Sequence, residues 1–284
     1  MFNVGIIGHG FVGKAVDYGF SMPNVEKYLV DPNYGTTVQS MFQSFNPNVV
    51  FIAVPTPMGD DGTINSKIIE GVFHDLNTHG NGCMAVIKST ITPEVIQKLK
   101  TIYSRIIYNP EFLTERNANR DFVEAPMLII GGDNKNDMYD LKDMYDRYSL
   151  CEKCPTYYVD LEAASMIKYT LNCFMAAKVL FFNQINSIYN KSGTNTDWYE
   201  FIDIIKADPR VGGTHMAVPG PDGRYGYGGA CFPKDTAALV RYARNINEPF
   251  TALEEVVKAN QKIRSQYTDL DAREKEQNVS FSVL

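Results

Sequence analysis

One cysteine stands out by its neighbours. Gly226-Tyr227-Gly228-Gly229-Ala230-Cys231-Phe232-Pro233-Lys234-Asp235 places Cys231 after a Gly-Gly hinge and just before a Pro-opened helical pattern. A thiol there lies near a helix N-terminus, where a thiolate is stabilised and becomes a nucleophile. Lys234 and Asp235 fall in the first turn of that helix. A second set lies upstream. Lys168 and Asn172 are four apart in an apolar helical stretch, so they share a face, and a lysine turned to the core can be tuned for proton transfer. Glu111 and Glu115, in Asn109-Pro-Glu-Phe-Leu-Thr-Glu115, follow a strand-like run. A nucleophile, a lysine with a polar neighbour and paired carboxylates are the ingredients of covalent catalysis on a carbonyl carbon.

A third feature is a glycine-rich turn. Gly8-His9-Gly10-Phe11-Val12-Gly13 follows the first apolar run and opens the first helical pattern. Gly8 permits the tight turn, Gly10 lets a pyrophosphate approach the backbone, and Gly13 lets helix and strand pack closely. Asp31 closes the second strand pattern, where a carboxylate bonds ribose hydroxyls and repels a 2′-phosphate, favouring NAD over NADP. Pro55 and Thr56, in Val54-Pro-Thr-Pro57, and Ser89-Thr90 follow the third and fourth strand patterns, where ligands bind in open α/β sheets.

These residues need a scaffold. Strand patterns occur at Phe2–Ile7, Lys27–Asp31, Val49–Val54, Met84–Lys88, Arg105–Tyr108, Met127–Ile130 and Thr156–Val159. Helical patterns lie between them at Phe11–Phe20, Thr36–Phe45, Ser66–Asn77, Pro93–Tyr103 and Asn136–Ser149. Several strand runs are continuously apolar, as strands covered on both faces are. The alternation predicts an α/β domain with a doubly wound parallel sheet over residues 1–160. From Leu161 the pattern is helical: a run to Asn190 that would span ~45 Å, then Asp197–Ala207, a Gly/Pro-rich loop at Asp208–Pro233, and helices at Lys234–Asn245 and Phe250–Gln266. This predicts an all-helical domain over 161–266 with a long central helix, which could carry a subunit interface, and a loose polar tail over 267–284.

Bulk properties bound the function. The chain has 284 residues and a net charge of −6, without a Lys/Arg cluster, so the basic footprint of a nucleic-acid binder is missing. No apolar run reaches the ~20 residues of a membrane helix. The N-terminus carries no signal-peptide pattern. Five scattered cysteines argue against a disulfide framework and for a reducing, cytoplasmic setting. Cys151 and Cys154 form a lone CxxC, which by itself gives no metal site.

GHGFVG, VPTP, KST, NPEFLTE, KYTLN and GYGGACFPKD occur in this order, and together they closely resemble the UDP-glucose/GDP-mannose dehydrogenase family. The resemblance runs from Phe2 to about Arg264. It stops short of the third, nucleotide-contacting domain with which family members usually continue. It implies a Rossmann-like first domain that binds NAD, a homodimer, and a sugar-nucleotide substrate, UDP-glucose foremost. It also implies a two-step, four-electron oxidation of the sugar C6 alcohol. Cys231 would hold the aldehyde as a thiohemiacetal and then as a thioester. A proton would leave through Lys168 or a water held by Asn172 and Asp235, and Glu111 or a water on Asp235 would assist hydrolysis. Thr90 and Glu115 resemble the family's water-positioning and cofactor-end residues, and Lys234 its lysine near the cofactor phosphates. Tyr227 and Gly228 fall in the substrate loop. Arg210 is similar to an arginine that reaches substrate across a dimer interface, with Arg224 as an alternative. Two other readings share features with the chain. A β-hydroxyacid dehydrogenase has the same domain order and a Lys-xxx-Asn pair but makes a single hydride transfer. A non-catalytic NAD-binding subunit needs no thiol.

Overall fold

The computed structural model describes residues 1–114 and 116–282; Glu115 lies outside the described residues. The chain divides into two compact units. One comprises Met1–Thr56 and Asn65–Lys168, the other Pro57–Ile64 and Tyr169–Leu284. The division falls inside the long helix rather than ahead of it, because the first turns of that helix pack on the sheet.

In the first unit, strands β1 (Phe2–Ile7), β2 (Val25–Val30), β3 (Val49–Ile52), β4 (Met84–Ile87), β5 (Ile106–Tyr108), β6 (Leu128–Gly132) and β7 (Thr156–Val159) form one sheet. Their order is β2-β1-β3-β4-β5-β6-β7. All neighbours are parallel except β5 and β6, which pair antiparallel with Tyr108 opposite Gly131. The sheet is doubly wound and mostly parallel, as the sequence pattern predicts, with this one antiparallel pair. The link from β5 to β6 lies at the carboxyl end of β5, so β6 enters from that end. β3 and β4 are buried at every residue, which is why their sequences are continuous apolar runs.

Helices cover both faces. One core joins Ile52, Ile87 and Tyr108 to α2 (Val38–Ser44), α3 (Lys67–His79), α4 (Pro93–Ile102) and the first turns of α7 (Leu161–Tyr189), through Met41, Phe73, Leu99 and Leu161. The other joins Ile6, Phe51 and Val86 to α1 (Phe11–Gly19), α5 (Ala118–Val123) and α6 (Lys135–Tyr148), through Val16, Phe122 and Leu141. Helix α5 was absent from the sequence reading: six residues are too few to show a period. It is fixed by Phe122, whose ring occupies the space a side chain at Gly19 would need. β3 ends before the expected Val54, as Pro55 and Pro57 cannot donate to a ladder.

The second unit holds the rest of α7, then α8 (Trp198–Lys206), α9 (Phe232–Asn245), α10 (Thr251–Arg264) and α11 (Ala272–Glu276). Trp198, Ile202, Met216 and Val218 form one apolar cluster with Phe182; Ala176, Leu180 and Tyr227 form another. The tail expected to be loose is ordered through α11, where Asp271 and Glu274 make a reciprocal capping box. No helix among the described residues is long and apolar enough to cross a membrane.

Candidate active site

The glycine turn meets the demands set for it. Gly8 has φ +87, and a Cβ on it would lie 2.7 Å from the Ala53 carbonyl oxygen. A Cβ on Gly13 would lie 1.9 Å from the Gly8 oxygen, so helix α1 can sit where it does only without one. Gly10 caps α1, and a Cβ there would meet nothing within 4 Å. That open space in front of the helix N-terminus, with Phe11 and Val12 opening the helix, suits an approaching pyrophosphate. Asp31 is 8% exposed and accepts from the His9 N–H at 2.8 Å and the Asn33 N–H at 2.9 Å. Burial works to raise its pKa, but those two N–H groups and the nearby His9 outweigh it and hold the carboxyl below its usual range. The residues present therefore fit a dinucleotide with a free ribose. The loops after β3 and β4 are tied together: the Thr56 hydroxyl donates to the Thr90 carbonyl at 2.8 Å, and Ser89 donates to the Val54 carbonyl at 2.7 Å.

Also in the first unit, Lys168 and Glu111 form a buried pair at 3.1 Å. The ammonium additionally donates to the Glu111 carbonyl and lies 5.1 Å from the centre of the Phe112 ring. Glu111 accepts from the Leu113 N–H at 2.7 Å, which shapes the loop after β5. Burial alone would push the Glu111 pKa up; the Lys168 charge, the Leu113 N–H and the more distant Lys88 charge hold it below the usual value. Behind this pair sits Lys88, which sequence reasoning quoted within KST but did not single out. It is 3% exposed and donates to Asn109 Oδ1 at 2.9 Å, an atom that also accepts from the Tyr145 hydroxyl at 2.7 Å. Desolvation lowers its pKa to about 8. Lys88, Glu111, Phe112, Phe122 and Cys151 line a cavity of about 390 Å³. A lysine closing an apolar strand was the available signal.

In the second unit, Cys231 is the N-cap residue of α9, and Pro233 lies in the first turn. Asp235 is fully buried and its carboxylate is bracketed: Lys234 Nζ at 2.6 Å on one oxygen, Asn172 Nδ2 at 2.6 Å on the other. Lys234 is thus engaged by its neighbour. Burial pushes the Cys83, Cys151, Cys154 and Cys173 thiols above the ordinary value, which keeps them protonated.

Tyr227 is buried in the second unit. Its side chain is 3% exposed, its hydroxyl faces the Thr236 hydroxyl at 3.3 Å, and its backbone is held at both ends by Asn260. The ring packs with Ala176 and Leu180 in the core of the second unit. At Gly228 a Cβ would lie 2.7 Å from both Arg264 Nη1 and Glu274 Oε1, so a side chain there would have to displace those two charged ends. Of the two arginines, Arg224 is committed within its own unit: it donates to the Asp269 carbonyl at 2.7 Å and carboxylate at 2.6 Å and stacks on Tyr267. The Arg210 side chain is 87% exposed, paired only with Asp208 among the described residues. Sequence reasoning also missed Glu274, although Asp271-Ala-Arg-Glu274 carries a capping-box spacing.

The family model described as "UDP-glucose/GDP-mannose dehydrogenase family, NAD binding domain" matches residues 25–149, and that of the same family's central domain matches residues 162–262. A UDP-glucose 6-dehydrogenase of Bacillus subtilis is 28% identical over 255 residues, covering 86% of this chain and 53% of the relative. The chain therefore spans about half the length of the curated relatives it matches. Among solved structures, a UDP-glucose dehydrogenase from Pyrobaculum islandicum superposes with a TM-score of 0.77 at 23% identity, over 92% of this chain and 68% of the other. A 3-hydroxyisobutyrate dehydrogenase from Mycobacterium tuberculosis gives 0.70 at 15% identity, over 95% and 96%. At these identities both likenesses speak for the fold alone.

Proposed function

The chain belongs to the UDP-glucose/GDP-mannose dehydrogenase family, and from that premise we propose that it oxidises the C6 alcohol of a sugar nucleotide, UDP-glucose foremost, to the uronic acid. The observation that carries this reading is Cys231 at the N-terminus of α9, four residues ahead of a buried Asp235 that Asn172 and Lys234 hold from both sides.

A bound NAD supplies the hydride acceptor for each of the two oxidations; Gly8 to Gly13 and Asp31 hold it, with Pro55, Thr56 and Thr90 in the loops beside them. In the first oxidation the C6 hydroxyl proton leaves through Lys168, which hands on its own ammonium proton as it takes the new one, or through a water on Asn172 and Asp235. The Cys231 sulfur then adds to the aldehyde carbon, and the resulting oxyanion is stabilised by the Lys168 ammonium and the Asn172 amide. Loss of the second hydride leaves a thioester on Cys231. Water, activated by Glu111 or through Asp235, breaks the carbon–sulfur bond and returns the thiol and a carboxylate. Retaining the aldehyde covalently between the two oxidations is what a nucleophile contributes here. Glu115 is assigned to the cofactor end and Arg210 to the substrate of a second subunit. The enzyme works as a homodimer joined along α7.

The decisive measurement is the yield of NADH per UDP-glucose consumed. Two NADH are expected from the wild type, and no steady turnover to uronic acid from Cys231→Ser. One NADH per substrate, with Cys231→Ser fully active, would move the chain to the single-transfer hydroxyacid dehydrogenases whose fold it also shares. Binding of NAD without any NADH from a panel of sugar nucleotides would leave it a non-catalytic subunit.

A further inference from the structure

The loop that carries Cys231 is almost without side chains of its own, so its shape must be imposed from outside. Gly226 N–H donates to Asn183 Oδ1 at 2.9 Å, and the Gly226 carbonyl accepts from Arg264 Nη2 at 2.9 Å. Tyr227 is held at both its N–H and its carbonyl by Asn260, at 2.8 and 2.9 Å. Those anchors come from α7 and α10. The anchor nearest the thiol comes from elsewhere. Gly229, with φ +78, donates its N–H to Glu274 Oε1 at 2.9 Å.

Glu274 is 1% exposed, and its other carboxylate oxygen accepts from the Asp271 N–H at 3.0 Å. It lies on α11, beyond residue 262 where the family match ends. The segment is fastened on its far side too. The Gln277 carbonyl accepts from the Met58 N–H at 2.9 Å, and Asn278 Nδ2 donates to the Met58 carbonyl at 2.9 Å. Glu274 is therefore not a side chain on a loose tail; its position is set at both ends. A buried peptide N–H left without its acceptor costs more than the bond itself is worth, so the Gly229 peptide would turn to find another.

We propose that Glu274 is a positioning residue for Cys231: its buried carboxylate fixes the Gly229 peptide and thereby the direction in which the Cys231 side chain leaves the N-terminus of α9. The catalytic consequence rests on Cys231 being the nucleophile proposed above; the hydrogen bond and its effect on the loop do not. Glutamine at 274 keeps an acceptor oxygen for Gly229 but not a second one for Asp271, whereas alanine removes both.

The test compares Glu274→Ala and Glu274→Gln with the wild type in the full chain. Three quantities are read: amide exchange of peptides covering residues 226–231, the rate of Cys231 alkylation by iodoacetamide followed by mass spectrometry, and kcat and KM with NAD and UDP-glucose. For Glu274→Ala, exchange at 226–231 should rise roughly tenfold while peptides from α7 and α10 keep their protection. The alkylation rate should change with it. A misplaced reactive group costs on the order of 100-fold, so kcat should fall towards that extent with KM for NAD unaltered. Glu274→Gln should recover most of the loss. Wild-type exchange, alkylation and kcat in Glu274→Ala would overturn the proposal, as would protection lost evenly across the whole second unit. Full turnover by Cys231→Ser would instead remove the nucleophile assignment, and exchange and alkylation would still decide whether Glu274 positions the loop.

Discussion

Lys88 shows what a single residue contributes when it is buried as a charge. Among the described residues its ammonium makes one hydrogen bond, to neutral Asn109, and its pKa is lowered to about 8 by desolvation. The folded state therefore releases this proton more readily than the unfolded chain, whose lysine keeps the ordinary value of 10.5. Below pH 8 both states carry the proton and the folded state bears the full burial penalty. Between about pH 8 and 10.5 the unfolded state binds more protons, so stability rises with pH. Lys88→Met removes that dependence. In denaturant unfolding at pH 7 and pH 10, the wild type should gain on the variant by up to ~3 kcal/mol, taking about 1.4 kcal/mol per pKa unit. A gap that stays constant across that window would show that Lys88 titrates normally. The same ammonium helps to hold the Glu111 carboxyl ionised, after the nearer Lys168.

At the scale of elements, the β1–α1 turn separates two jobs that the glycines share in the sequence motif. Gly13 is a packing glycine, since its Cβ would collide with the Gly8 carbonyl at 1.9 Å; Gly10 faces open space. Gly13→Ala should cost stability, at least the 1–3 kcal/mol typical of overpacking. Gly10→Ala should leave the melting temperature near the wild type yet weaken NAD binding, because the added methyl stands where the pyrophosphate approaches. Melting curves with NAD titrations on both variants check the split; equal loss of stability in the two would refute it. These elements were legible because they are periodic or punctuated. β1, β3, β4 and α4 carry apolar runs or a Thr-Pro-Glu start, and the glycine turn and the Pro-opened α9 have fixed offsets. The reversal of β6 was not legible, since an apolar run does not state its direction. Neither was the burial of Tyr227, whose motif position says nothing of which way the ring turns. The Lys168–Glu111 and Asn172–Asp235 pairs span 57 and 63 residues of chain; only the fold could join them.

At the scale of the whole molecule, α7 carries a feature that one chain does not satisfy. Phe174, Phe181 and Ile188 are 61, 57 and 64% exposed and recur every seventh residue, so they line one face of a 29-residue helix. Such a stripe suits the homodimer proposed above, in which an isologous contact between two copies of α7 would bury it against itself. Phe181→Glu should therefore lower the mass in light scattering from dimer to monomer. The dimer matters to the chemistry if Arg210, 87% exposed in its own chain, serves the substrate of the other subunit. Arg210→Ala alone should then raise KM for UDP-glucose on the order of 10- to 100-fold, the worth of one charge-assisted hydrogen bond or two. Mixing subunits decides between cis and trans action. When Cys231→Ser and Arg210→Ala chains are co-refolded in equal amounts, half the dimers hold one of each. In trans, each mixed dimer has one site with both an intact thiol and an intact arginine, so about a quarter of wild-type activity returns. In cis, no site in the mixed dimer is complete and the activity stays at the level of the two parents averaged. Recovery in the mixture, abolished when both chains also carry Phe181→Glu, would tie the α7 stripe to the reaction itself.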